Sequence, residues 1–174
     1  GLEVARALGA PLDTLVARKI GAPDNPEFGV GAIAPNTVVF DNASIKYLEL
    51  KTEDLAVTVA QETKEMSRRI ASYQSGKYGD IAAADTIIIV DDGLATGVTA
   101  RAAIASVKNA NRNAKIILAA PISARDTAAR LRQETDAVVI VAEVDNLWAI
   151  GNWYEEFEQT SDAEVIQCLT KARQ

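Results

Sequence analysis

The chain has 174 residues, 48% hydrophobic and 24% charged, with a net charge of −6 and a pI near 4.8. That is enough apolar content for one domain with a sizeable core; the acidic balance argues against a nucleic-acid surface, and no apolar run reaches the roughly 18 residues of a membrane span. With one cysteine, Cys168, no signal peptide and no histidine, the chain excludes an internal disulfide, Ser-His or Cys-His nucleophile pairs and the commonest transition-metal ligand, and a reducing cytoplasm is the expected compartment.

In chain order, "GLEVARALGA" reads as a helix with Leu2, Ala5 and Leu8 on one face and Gly9 as its stop. "LDTLVARKI" (12–20) reads as a strand and "GAPDNPEFG" as a loop. "FGVGAIA" and "TVVFD" read as a hairpin about a Pro-Asn turn. Residues 53–75 read as the longest helix, with Leu55, Val59, Met66, Ile70 and Tyr73 as its stripe, Glu53 and Asp54 in its first turn, and Gly76 as its C-cap. Then the pattern alternates. A strand at 86–90 leads to a helix ending near 109, with Ala100, Ala103, Ile104 and Val107 on one face. "KIILAA" is the next strand, and a helix opens at Ser123 with Asp126 in a capping box. "AVVIVA" is a further strand, an aromatic loop follows, and a last helix is capped by Ser161 and Glu164. Apolar strands alternating with helices predict a single α/β domain over 1–174, Rossmann-like, with a mostly parallel central sheet covered on both faces.

The informative stretch is "IIIVDDGLATGVTA" (87–100). Ligands of parallel α/β sheets bind at the carboxyl ends of strands, where Asp91 and Asp92 stand. Gly93 and Gly97 allow a tight turn, and the helix start beyond it offers amides and a dipole to an anion, with Thr96 and Thr99 adding hydroxyls. Two carboxylates, which only accept hydrogen bonds, beside an anion cradle suit a sugar phosphate with vicinal hydroxyls, or a metal near the phosphate. The alternatives are a plain acidic helix start or a nucleotidase-type strand; no G-x-x-x-x-G-K-[ST] accompanies the latter.

This stretch resembles the phosphoribosyl-pyrophosphate (PRPP) motif of type I phosphoribosyltransferases: four apolar residues, two acids, and a turn ending in Thr-Gly-x-Thr. The resemblance implies that family's fold, with a hairpin flap and a small hood beside the sheet. It implies Mg²⁺-dependent transfer of 5-phosphoribosyl from PRPP to a nitrogenous acceptor, such as a nucleobase, with release of pyrophosphate. Asp91 and Asp92 would be the catalytic pair holding the ribose hydroxyls. Gly93, Leu94, Ala95, Thr96, Gly97, Val98 and Thr99 would complete the ribose and 5′-phosphate site. "VARKIG" resembles a basic strand end that contacts the diphosphate, implying that role for Arg18 and Lys19; ordinary surface charges are the alternative. "DNLWAIGNWYEEF" resembles the segment in which an aromatic residue stacks on the base, implying Trp148 for stacking and Glu155 near the metal, which the ligand would otherwise hold. The alternative is that these aromatics are core anchors at a sheet edge.

"ARKIGAPDNPEF" and "WYEEF" place the likeness nearest to predicted bacterial phosphoribosyltransferases. Against the hypoxanthine-guanine branch, Ala95 replaces an acid and "AAPISAR" lacks a lysine, so 6-oxopurine specificity is not implied. The family's opening strand and pyrophosphate loop are expected to be missing, since the chain begins within the following helix. "GAPDNPEF" and the 29–40 hairpin correspond to the mobile flap, with Glu27 either an acid-base group or a solvated side chain. The 53–75 helix corresponds to an insertion or hood, its stripe expected to be core or dimer contact. The resemblance further implies a homodimer. Non-catalytic regulation by PRPP or nucleotide binding is the alternative function.

Overall fold

The computed structural model describes residues 1–73 and 78–172. Helix α1 (Leu2–Leu8) stops where expected, at Gly9 in the left-handed region with φ 61°. Two three-stranded sheets follow instead of one central sheet. Strands β1 (Arg18–Ala22), β2 (Asn25–Ala34) and β3 (Thr37–Phe40) form an antiparallel meander; β4 (Thr86–Val90), β5 (Lys115–Ala124) and β6 (Ala137–Val144) form a parallel sheet in that order. Helices α2 (Asn42–Tyr47), α3 (Ala56–Tyr73), α4 (Val98–Ala110), α5 (Arg125–Leu131) and α6 (Asp162–Lys171) complete the α/β architecture. No described helix is long and apolar enough to cross a membrane.

Helix α4 lies between the sheets. Val98 and Ala102 pack on Ala32 and Ala34 of β2, while Ala100, Ile104 and Val107 pack with Ile116 and Leu118 of β5. Its small residues admit strands on both sides, and its start is thereby fixed against two cores. A third cluster joins Ile20, Val30 and Ile33 to Leu55, Met66 and Tyr73, so the stripe of the long helix is core.

Several expectations are corrected. Of the strand expected over 12–20, only Arg18 onward is strand; Leu12 and Val16, Leu15, and Ala17 each enter a different cluster, which no flat strand could do. "GAPDNPEFG" is a hairpin, because Gly21 pairs with Gly29 and Ala22 with Asn25. The long helix opens as a 3₁₀ turn, Thr52–Leu55, and its proposed cap Gly76 lies outside the described residues. Ser123 caps nothing: it belongs to β5, bridges Leu94, and leaves α5 without a side-chain cap. The capping box of Ser161 and Glu164 does form on α6. Helices flank the parallel sheet, but β6 is open on its outer face. Alternation sends Val138 and Ile140 into the core beneath α4 and α5, and leaves Val139 and Val141 57% and 86% exposed.

Candidate active site at the end of strand β4

Asp91 continues the parallel ladder, its amide donating to Ala119 O at 3.0 Å. The chain then turns under tight restraint. Leu94 N–H donates to Ile122 O and Ala124 N–H to Leu94 O, both at 3.0 Å, which stitches the turn to β5. The Leu94 side chain is buried, so this residue shapes the turn and has no amide left for a ligand. A Cβ on Gly93 would stand 2.7 Å from Ile150 and 2.9 Å from Ile122. Gly97, at φ 72°, precedes α4, and a Cβ there would stand 2.6 Å from Thr127 Cγ2. Helix α4 has no side-chain N-cap, so no capping side chain occupies its first-turn amides, and Thr99 and Ala100 of that turn line the same cleft as Asp91.

The two carboxylates differ. Asp92 is exposed, and its amide donates to Asp91 Oδ1 at 2.9 Å. Burial, with the charge of Asp92 second, pushes the Asp91 carboxyl from the ordinary 3.8 up to about 6. Asp91 and Thr99 close one end of a cleft of about 1070 Å³ running along β4, opposite α1 and the 10–17 segment.

Four further residues, Thr127, Arg130, Ile150 and Tyr154, belong to this site. The Tyr154 hydroxyl donates to Asp92 O at 2.6 Å. Thr127 Oγ1 donates to Ala95 O at 2.7 Å, and Arg130 Nη2 to Thr96 O at 3.3 Å. Ile150 limits position 93 as described. "WYEEF" marked the region of Tyr154; nothing local marked Thr127 and Arg130, whose partners lie more than thirty residues away.

The basic pair separates. Lys19 pairs across the sheet with Ala32, on the side packed against α4, while Arg18 pairs with Ile33, on the side facing α3. Arg18 Nε is held by Glu62 of α3 at 2.7 Å, and Lys19 Nζ by Glu27 of the hairpin at 3.2 Å. The Lys19 stem crosses Gly29, whose Cβ would also meet Val98 at the start of α4. Lys19 is thus on the side of the β4–α4 turn and Arg18 is not. Trp148 is 90% exposed and is no core anchor; Glu155 is exposed beside Tyr154. Among the described residues no three His, Cys, Asp or Glu side chains converge to hold a metal ion.

Comparison with known proteins adds the decisive observation. Two Mycobacterium tuberculosis proteins, each named "Putative phosphoribosyl transferase", are 37% identical over 171 residues, 98% of this chain. The chain is homologous to bacterial proteins named as phosphoribosyl transferases. It spans 38% of the length of these transferase relatives. The crystal structure of TT1426 from Thermus thermophilus superposes with a TM-score of 0.71 at 29% identity, covering 98% of this chain and 80% of that one. No protein-family model matches the chain. The region shared with the named transferases includes the Asp91–Thr99 turn and both sheets that frame it.

Proposed function

We propose that the chain is a phosphoribosyltransferase domain of the type I fold, which transfers 5-phosphoribosyl from PRPP to a nitrogenous acceptor and releases pyrophosphate. One observation carries this reading: two carboxylates end a parallel strand, and the next turn is bound to its neighbours through its carbonyls, beside the uncapped start of a buried helix. The carboxylates accept the ribose 2′- and 3′-hydroxyls, and the amides and hydroxyls of Ala95 through Thr99 take the 5′-phosphate. The bond from C1 to pyrophosphate oxygen breaks and a bond from C1 to nitrogen forms, through a cationic ribosyl centre. Catalysis then lies in positioning and in neutralising the leaving group. Lys19, on the face of β1 that packs against α4, supplies that neutralisation, and the exposed Trp148 indole offers a flat heterocycle a stacking surface. Mg²⁺ fits this donor set as an ion held mainly by the diphosphate and water, since it needs only one or two protein carboxylates; Asp91 and Asp92 stand at the turn, and Glu155 follows Tyr154, whose hydroxyl donates to Asp92 O.

Titration calorimetry of PRPP with and without Mg²⁺, beside an assay of pyrophosphate release against nitrogenous acceptors, tests the reading. Binding that disappears in the double substitution Asp91→Asn, Asp92→Asn is the expected result. Equal binding by that variant would remove the ribose assignment.

A further inference from the structure

The phosphate turn presents its amides because its carbonyls are held from behind. In a trans peptide the C=O of one residue and the N–H of the next point in opposite directions. A carbonyl pulled toward α5 therefore aims the following amide away from α5. The Leu94 carbonyl is taken by Ala124 N–H at 3.0 Å, the Ala95 carbonyl by Thr127 Oγ1 at 2.7 Å, and the Thr96 carbonyl by Arg130 Nη2 at 3.3 Å. The amides that follow are those of Ala95, Thr96 and Gly97. Arg130 Nη2 also donates to Thr127 Oγ1 at 3.1 Å, so the two side chains, one helical turn apart on α5, act together. Thr127 is buried, its methyl filling the space that a Cβ on Gly97 would need.

We propose that Thr127 and Arg130 are positioning residues of the phosphate turn: they fix the direction of its amides and place a guanidinium behind it. Neither side chain need touch the ligand. The backbone bond from Ala124, with the Ser123 hydroxyl 3.3 Å from the same carbonyl, fixes one of the three peptide planes; the other two are set by side chains of α5, so sequence on α5 tunes a site on the β4–α4 turn. This rests on the phosphoribosyl reading above, and the test separates the two.

The variants are Thr127→Val, which keeps the methyl and removes the hydroxyl, Thr127→Ser, which keeps the hydroxyl, and Arg130→Met. Calorimetry with PRPP and with ribose 5-phosphate is read beside the melting temperature and the ¹⁵N–¹H shifts of residues 95–97. Thr127→Val and Arg130→Met are each expected to weaken both ligands about tenfold, the equivalent of one hydrogen bond. The ligand-induced shifts of the three amides should shrink, and Thr127→Ser should restore them. Because Arg130 is exposed, its loss should leave the fold intact, so weakened binding cannot be put down to unfolding. Wild-type affinity in Thr127→Val and Arg130→Met, with unaltered amide shifts, overturns the brace and leaves the phosphoribosyl reading standing. Failure of the wild-type chain to bind either ligand overturns both.

Discussion

Tyr154 ties the aromatic segment to the acidic pair by a side-chain hydrogen bond. Its hydroxyl donates to Asp92 O, and its ring lies 5.0 Å, centroid to centroid, from that of Phe157. Burial, and then the charges of Asp92 and Asp91, hold its hydroxyl above the ordinary tyrosine range, so it stays protonated and able to donate. Tyr154→Phe keeps the ring and deletes the donor. The expected cost is about 1 kcal/mol of stability, measured by denaturant unfolding. PRPP affinity should fall severalfold in the same variant, because the Asp92 peptide is then free to rotate and the carboxylate with it. An unfolding loss with unchanged PRPP affinity would reduce Tyr154 to a structural contact. Lys19 makes a second case at this scale. Its ammonium donates to the Glu27 carbonyl at 3.1 Å and pairs with the Glu27 carboxylate at 3.2 Å, so Glu27→Gln, which keeps the first contact and removes the charge of the second, should leave the ammonium uncompensated and tighten pyrophosphate binding. Pyrophosphate titration at low salt, where exposed charges are least screened, is the measurement.

At the scale of elements, the β4–α4 turn is specified twice, by its own glycines and by what packs on them. Gly97→Ala would impose a side chain at φ 72° and drive a methyl to 2.6 Å from Thr127 Cγ2. The expected loss is about 1–3 kcal/mol, from left-handed strain and displacement of Thr127, with phosphate binding lost along with it. Thermal unfolding and ribose 5-phosphate titration report the two effects separately. Much of this element was legible beforehand because its determinants are local. Four β-branched residues, two acids, two glycines and the alanine face of α4 lie within twenty-one residues (87–107) and need no distant partner to be read. The stop of α1 at Gly9 and the Ser161–Glu164 box were legible for the same reason. What could not be read was set by distant partners. Residues 12–17 look like a strand because four of the six are apolar, yet those four side chains serve three separate clusters. Ser123 looks like a cap, yet its buried hydroxyl stands 2.9 Å from Ala124 O and 3.3 Å from Leu94 O, and the β5 ladder runs through it. Arg18 and Lys19 read as one basic pair, but strand alternation sends them to opposite faces. The brace from α5 had no local signature, since nothing in "RDTAARL" announces that it will meet Ala95 and Thr96.

For the molecule as a whole, the acidic pair is a stability cost retained at a candidate binding site. Asp91 has its carboxyl raised from 3.8 to about 6 by burial and by Asp92. Between those values the folded chain keeps a proton that the unfolded chain has already released, so this group makes stability fall as pH rises through the window. Above pH 6 the full penalty applies, up to about 3 kcal/mol for a shift of about two pH units. It vanishes only well below the ordinary 3.8, at about pH 3. Asp91→Asn removes the charge at nearly constant shape and keeps an oxygen for the Asp92 amide. The variant should match the wild type in denaturant unfolding at pH 3 and exceed it by roughly 1–3 kcal/mol at pH 7, the gap opening between the two. Taking the difference between the two proteins at each pH cancels every other titrating group that the substitution leaves undisturbed. A constant gap would mean that Asp91 titrates normally in the folded chain. The same ionisation should appear in binding. Hydroxyls donate best to the carboxylate, so PRPP affinity of the wild type should rise as pH passes 6, with proton release detectable by calorimetry in buffers of different ionisation enthalpy. The variant that is more stable at pH 7 should be the one that has lost the ligand.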